Sequence, residues 1–330
     1  MMKLLEDRYG RRHDYLRISV TDRCNLRCVY CMGPEGVKLL EHRQILSYEE
    51  ILKIVRAAAE VGVKKIRITG GEPMVRKGIE YLIQKIAETP GIEDIAMTTN
   101  GLLLEEKALA LKEAGLKRVN VSLDSLKPET YSQITRGGDL HKALAGIKAA
   151  LHYRLTPVKI NVVLMKGIND EEIDDFLRLT LEYPLHVRFI EYMPIDAHDT
   201  AWEGKYLSLQ AVKERASTLG LPLEAIEVRG CGPAEMFKLP GALGSVGLIH
   251  PVSKHFCFSC NRLRLTADGY LKPCLYWQEE LPVRPVLNDK EALQELFRKA
   301  LDVKRQQHTM SPQRNRDLEE DRRGMSKVGG

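Results

Sequence analysis

Between residues 16 and 194 the apolar positions switch back and forth between two periods. Six short stretches, LRISV, KKIRIT, DIAMTT, RVNVSL, VKINVVLM and HVRFIEYM, are rich in β-branched residues and repeat every second position, which predicts strands. The segments between them repeat with helical period over about 77–89, 104–114, 139–154 and 170–182. A further helix opens at Ser47, where Glu50 three positions on completes a capping box. Six β units alternating with five helices predict a parallel sheet with helices outside it. Six units fall short of the eight that close a (β/α)8 barrel. The expected fold is therefore α/β, an open partial (β/α)6 barrel, with a flat doubly wound sheet as second choice.

The alternation within the strands adds a functional hint. Leu16, Ile18 and Val20 share one face of the first strand, with Arg17 and Ser19 on the other. The same division sets Ile66 and Ile68 against Lys65, Arg67 and Thr69, Val119, Val121 and Leu123 against Asn120, Ser122 and Asp124, and Val158, Ile160 and Val162 against Lys159 and Asn161. A parallel strand covered on both faces usually reads as continuously apolar. These strands do not, so their polar face is expected to line a functional lumen on the concave side. Edge strands with a solvated face are the alternative, which would suit one or two strands and not four.

After residue 195 the βα rhythm stops. Residues 205–230 read as a helix and a short extended piece, and Gly241 to Cys274 is glycine-punctuated and strand-like. From about Asp302 the chain is highly charged and poor in large apolar residues, and it ends GMSKVGG. The net charge of +5 is too slight to demand nucleic acid, and aromatics at 6% show no basic–aromatic interleaving. No apolar run approaches the roughly 20 residues that span a bilayer, and the N-terminal residues lack the apolar stretch of a secretory signal. The expectation is a cytoplasmic protein with neither membrane nor nucleic acid as partner.

The cysteines change the picture. Six of seven fall into two triads: Cys24, Cys28 and Cys31 in CNLRCVYC, and Cys257, Cys260 and Cys274. The seventh, Cys231, reads as an isolated thiol. A structural zinc site wants four ligands. One zinc site drawing a CxxC from each triad would bridge a gap far longer than in zinc ribbons and would strand Cys24 and Cys274. Three thiolates can instead hold three irons of a [4Fe–4S] cube and leave the fourth open to an outside ligand. The first triad follows the first strand, at the carboxyl end of the sheet, where open α/β sheets place their ligands. In FCFSCNRLRL, Cys260, Arg262 and Arg264 alternate and so share one strand face. Guanidinium forks match phosphate oxygens, and neither a P-loop nor a GxGxxG turn is present.

CxxxCxxC with an aromatic, Tyr30, before its last cysteine resembles the hallmark of the radical S-adenosylmethionine (SAM) superfamily, and Gly70-Gly71-Glu72-Pro73 is similar to its SAM amino-group motif. The resemblance implies that the unique iron of cluster one binds SAM, and that the reduced cluster cleaves it to a 5′-deoxyadenosyl radical. CxxCNRxRLT, the third cysteine fourteen residues on, and the terminal Gly-Gly further resemble the MoaA family of molybdenum cofactor biosynthesis, the GTP 3′,8-cyclases. That likeness runs from Arg17 to Gly330. It implies a second [4Fe–4S] cluster whose open iron meets the guanine of GTP. It also implies SAM contacts at Tyr30, Gly71, Ser122 and Met193, GTP contacts at Arg17, Arg67, Thr98, Lys159, Arg262, Leu263 and Arg264, and catalytic parts for Arg17, Arg262, Arg264, Gly329 and Gly330. The implied division is a radical SAM partial barrel over 1–200, an auxiliary-cluster and GTP-binding region over 201–300, and a tail over 301–330 that reaches the active site. A low-potential electron donor, cyclic pyranopterin monophosphate synthase as the enzyme that takes the product, and a homodimer complete the expected partners. A peptide-modifying radical SAM enzyme with an auxiliary cluster is the alternative, and a non-enzymatic cluster carrier a further one. The former has no need of two arginines beside the second triad, and the latter none of GGEP.

Overall fold

The computed structural model describes residues 4–33, 35–193, 202–227, 232–311 and 325–328. All six expected strands form: β1 (Tyr15–Ser19), β2 (Lys65–Thr69), β3 (Asp94–Thr99), β4 (Arg118–Ser122), β5 (Lys159–Leu164) and β6 (His186–Glu191). The intervening helices are α1 (Tyr48–Glu60), α2 (Ile79–Ala87), α3 (Leu104–Glu113), α4 (Pro128–Thr135), α5 (Leu140–His152) and α6 (Ile173–Glu182). The capping box predicted for α1 is present: Glu50 N donates to Ser47 Oγ at 3.2 Å, and Ser47 N to Glu50 Oε2 at 2.7 Å. Helix α4 escaped the sequence reading because it is short and largely polar, burying only Tyr131, Ile134 and Thr135.

The later chain adds α7 (Trp202–Lys205), α8 (Gln210–Thr218), β7 (Glu224–Ala225), β8 (Glu235–Lys238), β9 (Ser245–Ile249), β10 (Arg262–Leu265), β11 (Tyr270–Lys272), β12 (Leu281–Pro282), α9 (Lys290–Asp302) and α10 (Met325–Val328). Its strands do not form a separate layer. The single sheet runs β12-β11-β10-β1-β2-β3-β4-β5-β6-β9-β8-β7. Strand β10 adds parallel to β1 and β9 adds parallel to β6, while the outermost strands pair antiparallel. The sheet is thus open, as expected, but the six-stranded unit is widened to 12 strands among the described residues. Because β1 and β6 are both flanked, none of the six alternating strands is an edge, which disposes of the solvated-edge explanation of their polar face.

The apolar strand faces meet the helices. Leu16, Ile18, Ile66, Ile68, Val119, Val121, Val162, Val187 and Phe189 are each fully buried. Sequestering such a side chain contributes about 1.5–3 kcal/mol. The opposite face carries the polar row, held in lateral alignment by register: Arg264, Arg17 and Arg67 are neighbours across three strands, as are Thr98, Asn120 and Lys159. Those side chains are more enclosed than a wet lumen implies; Arg67, Asn120, Lys159 and Arg264 are all buried.

Candidate active site

The first triad sits on the loop that leaves β1. Its sulphurs gather closely enough that Cys24 and Cys31 both act on Cys28. Burial and nearby Asp124 push the Cys28 thiol well up, and burial, with Glu72, raises that of Cys24. The main chain turns back on the sulphur: Leu26 N points to Cys24 Sγ at 3.4 Å. The turn after β2 abuts this loop. Gly71 N donates to the Thr21 carbonyl at 2.7 Å and Glu72 N to that of Arg23 at 2.8 Å. A Cβ on Gly71 would lie 2.2 Å from the Arg23 carbonyl oxygen. The glycine therefore permits close approach, but to the cysteine loop itself, where the sequence suggested only a ligand.

Glu72 is enclosed at the ends of β2 and β3, accepting from Thr99 Oγ1 at 2.9 Å, Met74 N at 3.1 Å and Asn100 N at 2.8 Å. Burial lifts its carboxyl to about 7. Asn100 Nδ2 reaches onward to Asn25 Oδ1 at 2.8 Å, beside Cys24. Tyr30 donates its hydroxyl to Asp124 Oδ2 at 2.6 Å, and Val163 N donates to Asp124 Oδ1 at 2.8 Å. Burial raises Asp124 to about 6. Tyr30 and Met193 flank one apolar cluster formed by Ile134, Met165, Tyr192, Trp202 and Val252. Ser122 lies on the polar face of β4, half-buried, beside Asn161.

The second triad lies at the other end of β1, where Cys260 leads into β10. Cys257 is influenced by both Cys274 and Cys260. The local turn repeats that of the first triad, with Tyr276 N pointing to Cys274 Sγ at 3.4 Å. Burial raises the Cys257 thiol here too, and the difference lies at Cys260. Burial works against ionisation of Cys260, yet Lys304 and Arg262 outweigh it and bring the thiol down to about 7. Arg11 binds this end together, donating to the Cys257 carbonyl at 2.8 Å, that of Gln306 at 2.7 Å and that of Arg305 at 2.9 Å.

Between the triads runs the cationic row. Burial and the neighbouring Arg264 depress Arg17 well below the usual guanidinium range. Burial and Arg262 bring Arg264 to about 10. Like charges crowded out of water repel, and a polyanion relieves them. Arg67 bonds Thr98 Oγ1 at 3.2 Å and donates its Nε to the Tyr15 hydroxyl. Burial opposes ionisation of Tyr15, but Arg67 and Arg17 prevail and lower it to about 8. Leu263 faces the other way, buried against the core, so only its main chain meets the polar side. Lys159 lies further along, on β5. Cys231, Gly329 and Gly330 lie outside the described residues.

Sequence reasoning missed Tyr15, Arg11, Lys304 and Arg188, and placed Asp124 on the polar face without giving it a part. Arg188 carries its own signal, standing between apolar Val187 and Phe189; it donates to Asn161 Oδ1 at 2.7 Å on the polar face. The others are single polar residues whose partners are remote in sequence.

All six triad cysteines are half-buried free thiols. Among the described residues no three His, Cys, Asp or Glu side chains converge on a single metal ion. The donor set, three soft sulphurs per site, suits iron–sulfur clusters.

Residues 18–180 match the radical SAM superfamily, and residues 185–310 match Molybdenum Cofactor Synthesis C. A GTP 3′,8-cyclase of Listeria welshimeri serovar 6b is 51% identical, with 100% of each chain aligned. One of Petrotoga mobilis is 50% identical over 98% of this chain and 99% of its own. The chain belongs to the GTP 3′,8-cyclase family. Like other members of this family it carries two [4Fe–4S] clusters and uses SAM. Among solved structures, Streptococcus suis SuiB bound to SAM shares the fold, with TM-score 0.57 and 17% identity over 84% of this chain and 65% of SuiB. The enzyme anSMEcpe with bound AdoMet does likewise, with TM-score 0.58 and 15% identity over 87% of this chain and 76% of its own. At such identity these likenesses speak to the fold alone.

Proposed function

We propose that this GTP 3′,8-cyclase family member converts GTP to (8S)-3′,8-cyclo-7,8-dihydroguanosine 5′-triphosphate, the first step of molybdopterin biosynthesis. The observation that carries the reading is the largely enclosed row Arg264–Arg17–Arg67, with a cysteine triad at each end of the same strand. Strand β1 spans on the order of 15 Å, at ~3.3 Å per residue, a length suited to a nucleotide laid between two metal sites.

Cys24, Cys28 and Cys31 would hold the cluster that binds SAM, and Cys257, Cys260 and Cys274 the one that meets guanine. When bound, the first cluster and SAM supply a 5′-deoxyadenosyl radical able to take the ribose 3′ hydrogen of GTP. The protein's own part is placement. Arg17, Arg67, Arg262 and Arg264 bind the triphosphate, with Thr98 and Lys159 further along the row. The Leu263 main chain runs beside them. Tyr30, Gly71, Ser122 and Met193 form the SAM side. Holding the two reactants in line can contribute about 7–11 kcal/mol. The division at residues 200 and 300, and a tail whose Gly329 and Gly330 enter the site, belong to the same proposal. So do a low-potential electron donor, onward transfer to cyclic pyranopterin monophosphate synthase, a homodimer and a cytoplasmic setting. No helix among the described residues is long and apolar enough to cross a membrane.

Anaerobic incubation of the reconstituted protein with SAM, dithionite and GTP tests it. Deoxyadenosine and the cyclised guanine product are expected together. The Cys274→Ala variant should cleave SAM without forming that product. Deoxyadenosine formation indifferent to GTP, with no guanine-derived product from the unaltered protein, refutes the reading.

A further inference from the structure

Lys304 follows α9, where the chain turns beneath β10, and only 3% of it is exposed. Lysine is almost never enclosed so deeply without a partner. Its Nζ donates to the Arg262 carbonyl at 3.0 Å and to the Pro273 carbonyl. These acceptors sit on separate segments, one two residues after Cys260 and the other directly before Cys274. A single ammonium thus joins the two stretches of chain that present the last two sulphurs of the second triad.

Two carbonyl dipoles do not neutralise a buried cation. Its neighbour His13 is no anion, and the acid beside that histidine, Asp7, is engaged by Arg11 Nε at 2.6 Å. The Arg262 and Pro273 carbonyls hold the ammonium against the main chain that carries Cys260 and Cys274. Those two cysteines, once ionised to hold iron, supply negative charge on the same two segments. Beside the first triad the structure places carboxylates: Asp124 accepts from the Tyr30 hydroxyl at 2.6 Å, and Asn100, whose main chain bonds Glu72, reaches Asn25 next to Cys24. Cluster potentials respond to net charge and to hydrogen bonds around the sulphurs. Reduction adds one negative charge, which a fixed cation stabilises.

We propose that Lys304 is a cationic strut of the second triad, holding the Cys260 and Cys274 segments in one cage and raising the reduction potential of the cluster they carry. The proposal rests on the ligand assignment made above. It makes Lys304 a positioning residue, acting through the cluster and not on GTP.

The test uses the full-length chain with Cys24, Cys28 and Cys31 replaced by alanine, so that the paramagnetic signal of the reduced second cluster stands alone. In this background Lys304→Met should retain its iron and shift the one-electron reduction equilibrium at least tenfold toward the oxidised form, 59 mV downward. Lys304→Arg should stay within threefold of the parent. Arg305→Met, which removes an exposed cation paired with Glu279, should also stay within threefold. Iron lost from Lys304→Met but kept by Lys304→Arg also supports the strut. An unchanged potential in iron-replete Lys304→Met, a shift of equal size in Arg305→Met, or iron lost from both Lys304 variants overturns it. Failure of the ligand assignment looks different: the parent chain then holds no cluster, or Cys274→Ala keeps it.

Discussion

Replacing Gly71 with alanine probes the joint between the first cysteine loop and the turn after β2. The added Cβ would stand 2.2 Å from the Arg23 carbonyl oxygen, 2.5 Å from its carbon and 2.9 Å from the Asp22 oxygen. Ordinary contact begins at 3.4 Å, and every one of these atoms is backbone. One of the two loops must therefore retreat by more than an ångström. Overpacking of this kind costs about 1–3 kcal/mol. The main-chain bonds across the joint, Gly71 to Thr21 at 2.7 Å and Glu72 to Arg23 at 2.8 Å, would stretch or break, each worth about 0.5–1.5 kcal/mol. The sum is roughly 2–6 kcal/mol, and for a chain of 330 residues, at about 1–2 °C per kcal/mol, the melting temperature falls by about 3 °C or more. Cys24 adjoins Arg23, so first-cluster iron and SAM cleavage should fall together. The assay is a thermal scan of reconstituted protein with iron counted per chain. Gly33→Ala is the control: it lies two residues beyond Cys31, and a Cβ there meets nothing within 4 Å. A Gly71→Ala protein with unaltered melting temperature and full iron would show that the reasoning about this joint is wrong.

Two further outcomes follow from the cationic row. Tyr15 has a folded-state value of about 8 against the ordinary phenol value of 10.0. Between those pH values the unfolded chain holds a proton that the folded chain has released, so stability rises with pH across that window, by about 2–3 kcal/mol in all. Urea unfolding at either end of it, in the absence of nucleotide, should show the unaltered chain gaining more than Tyr15→Phe by about this amount; an identical pH response in the two excludes Tyr15 as a source. Arg264→Met should keep the iron of both clusters and weaken GTP binding about tenfold or more, since a hydrogen bond to a charged group contributes about 1.5–3 kcal/mol. Calorimetry with GTP measures it, and unchanged affinity removes Arg264 from the triphosphate site.

Much of this was legible because period-two alternation survives translation into three dimensions. Arg17 and Arg67 could be placed on one face from KKIRIT and LRISV alone, and the register then set them side by side. The cysteine spacings likewise announced two triads. What stayed hidden depended on partners far along the chain. Nothing local marks Asp124 as the acceptor for Tyr30, or Lys304 as the link between Arg262 and Pro273. The widening of the sheet was hidden for a related reason. RLRL and SVGLI read as strands, but which neighbour each would choose is decided by long-range pairing. The packing of Gly71 against the Arg23 and Asp22 main chain was hidden too, because a sequence shows a missing side chain and not what fills its space.

The placement of β9 and β10 bears on how the chain comes to be made. When synthesis has produced only the first two hundred residues, β1 and β6 stand as bare rims, each offering a row of unpaired amides and carbonyls to any passing strand. The segments that seal those rims are translated afterwards, β9 first and β10 later. A ribosome that stalls in between releases a half-finished sheet ready to stick to its neighbours. The amino-terminal half made alone should accumulate as insoluble aggregate, and its solubility depends on strands encoded in the other half of the gene.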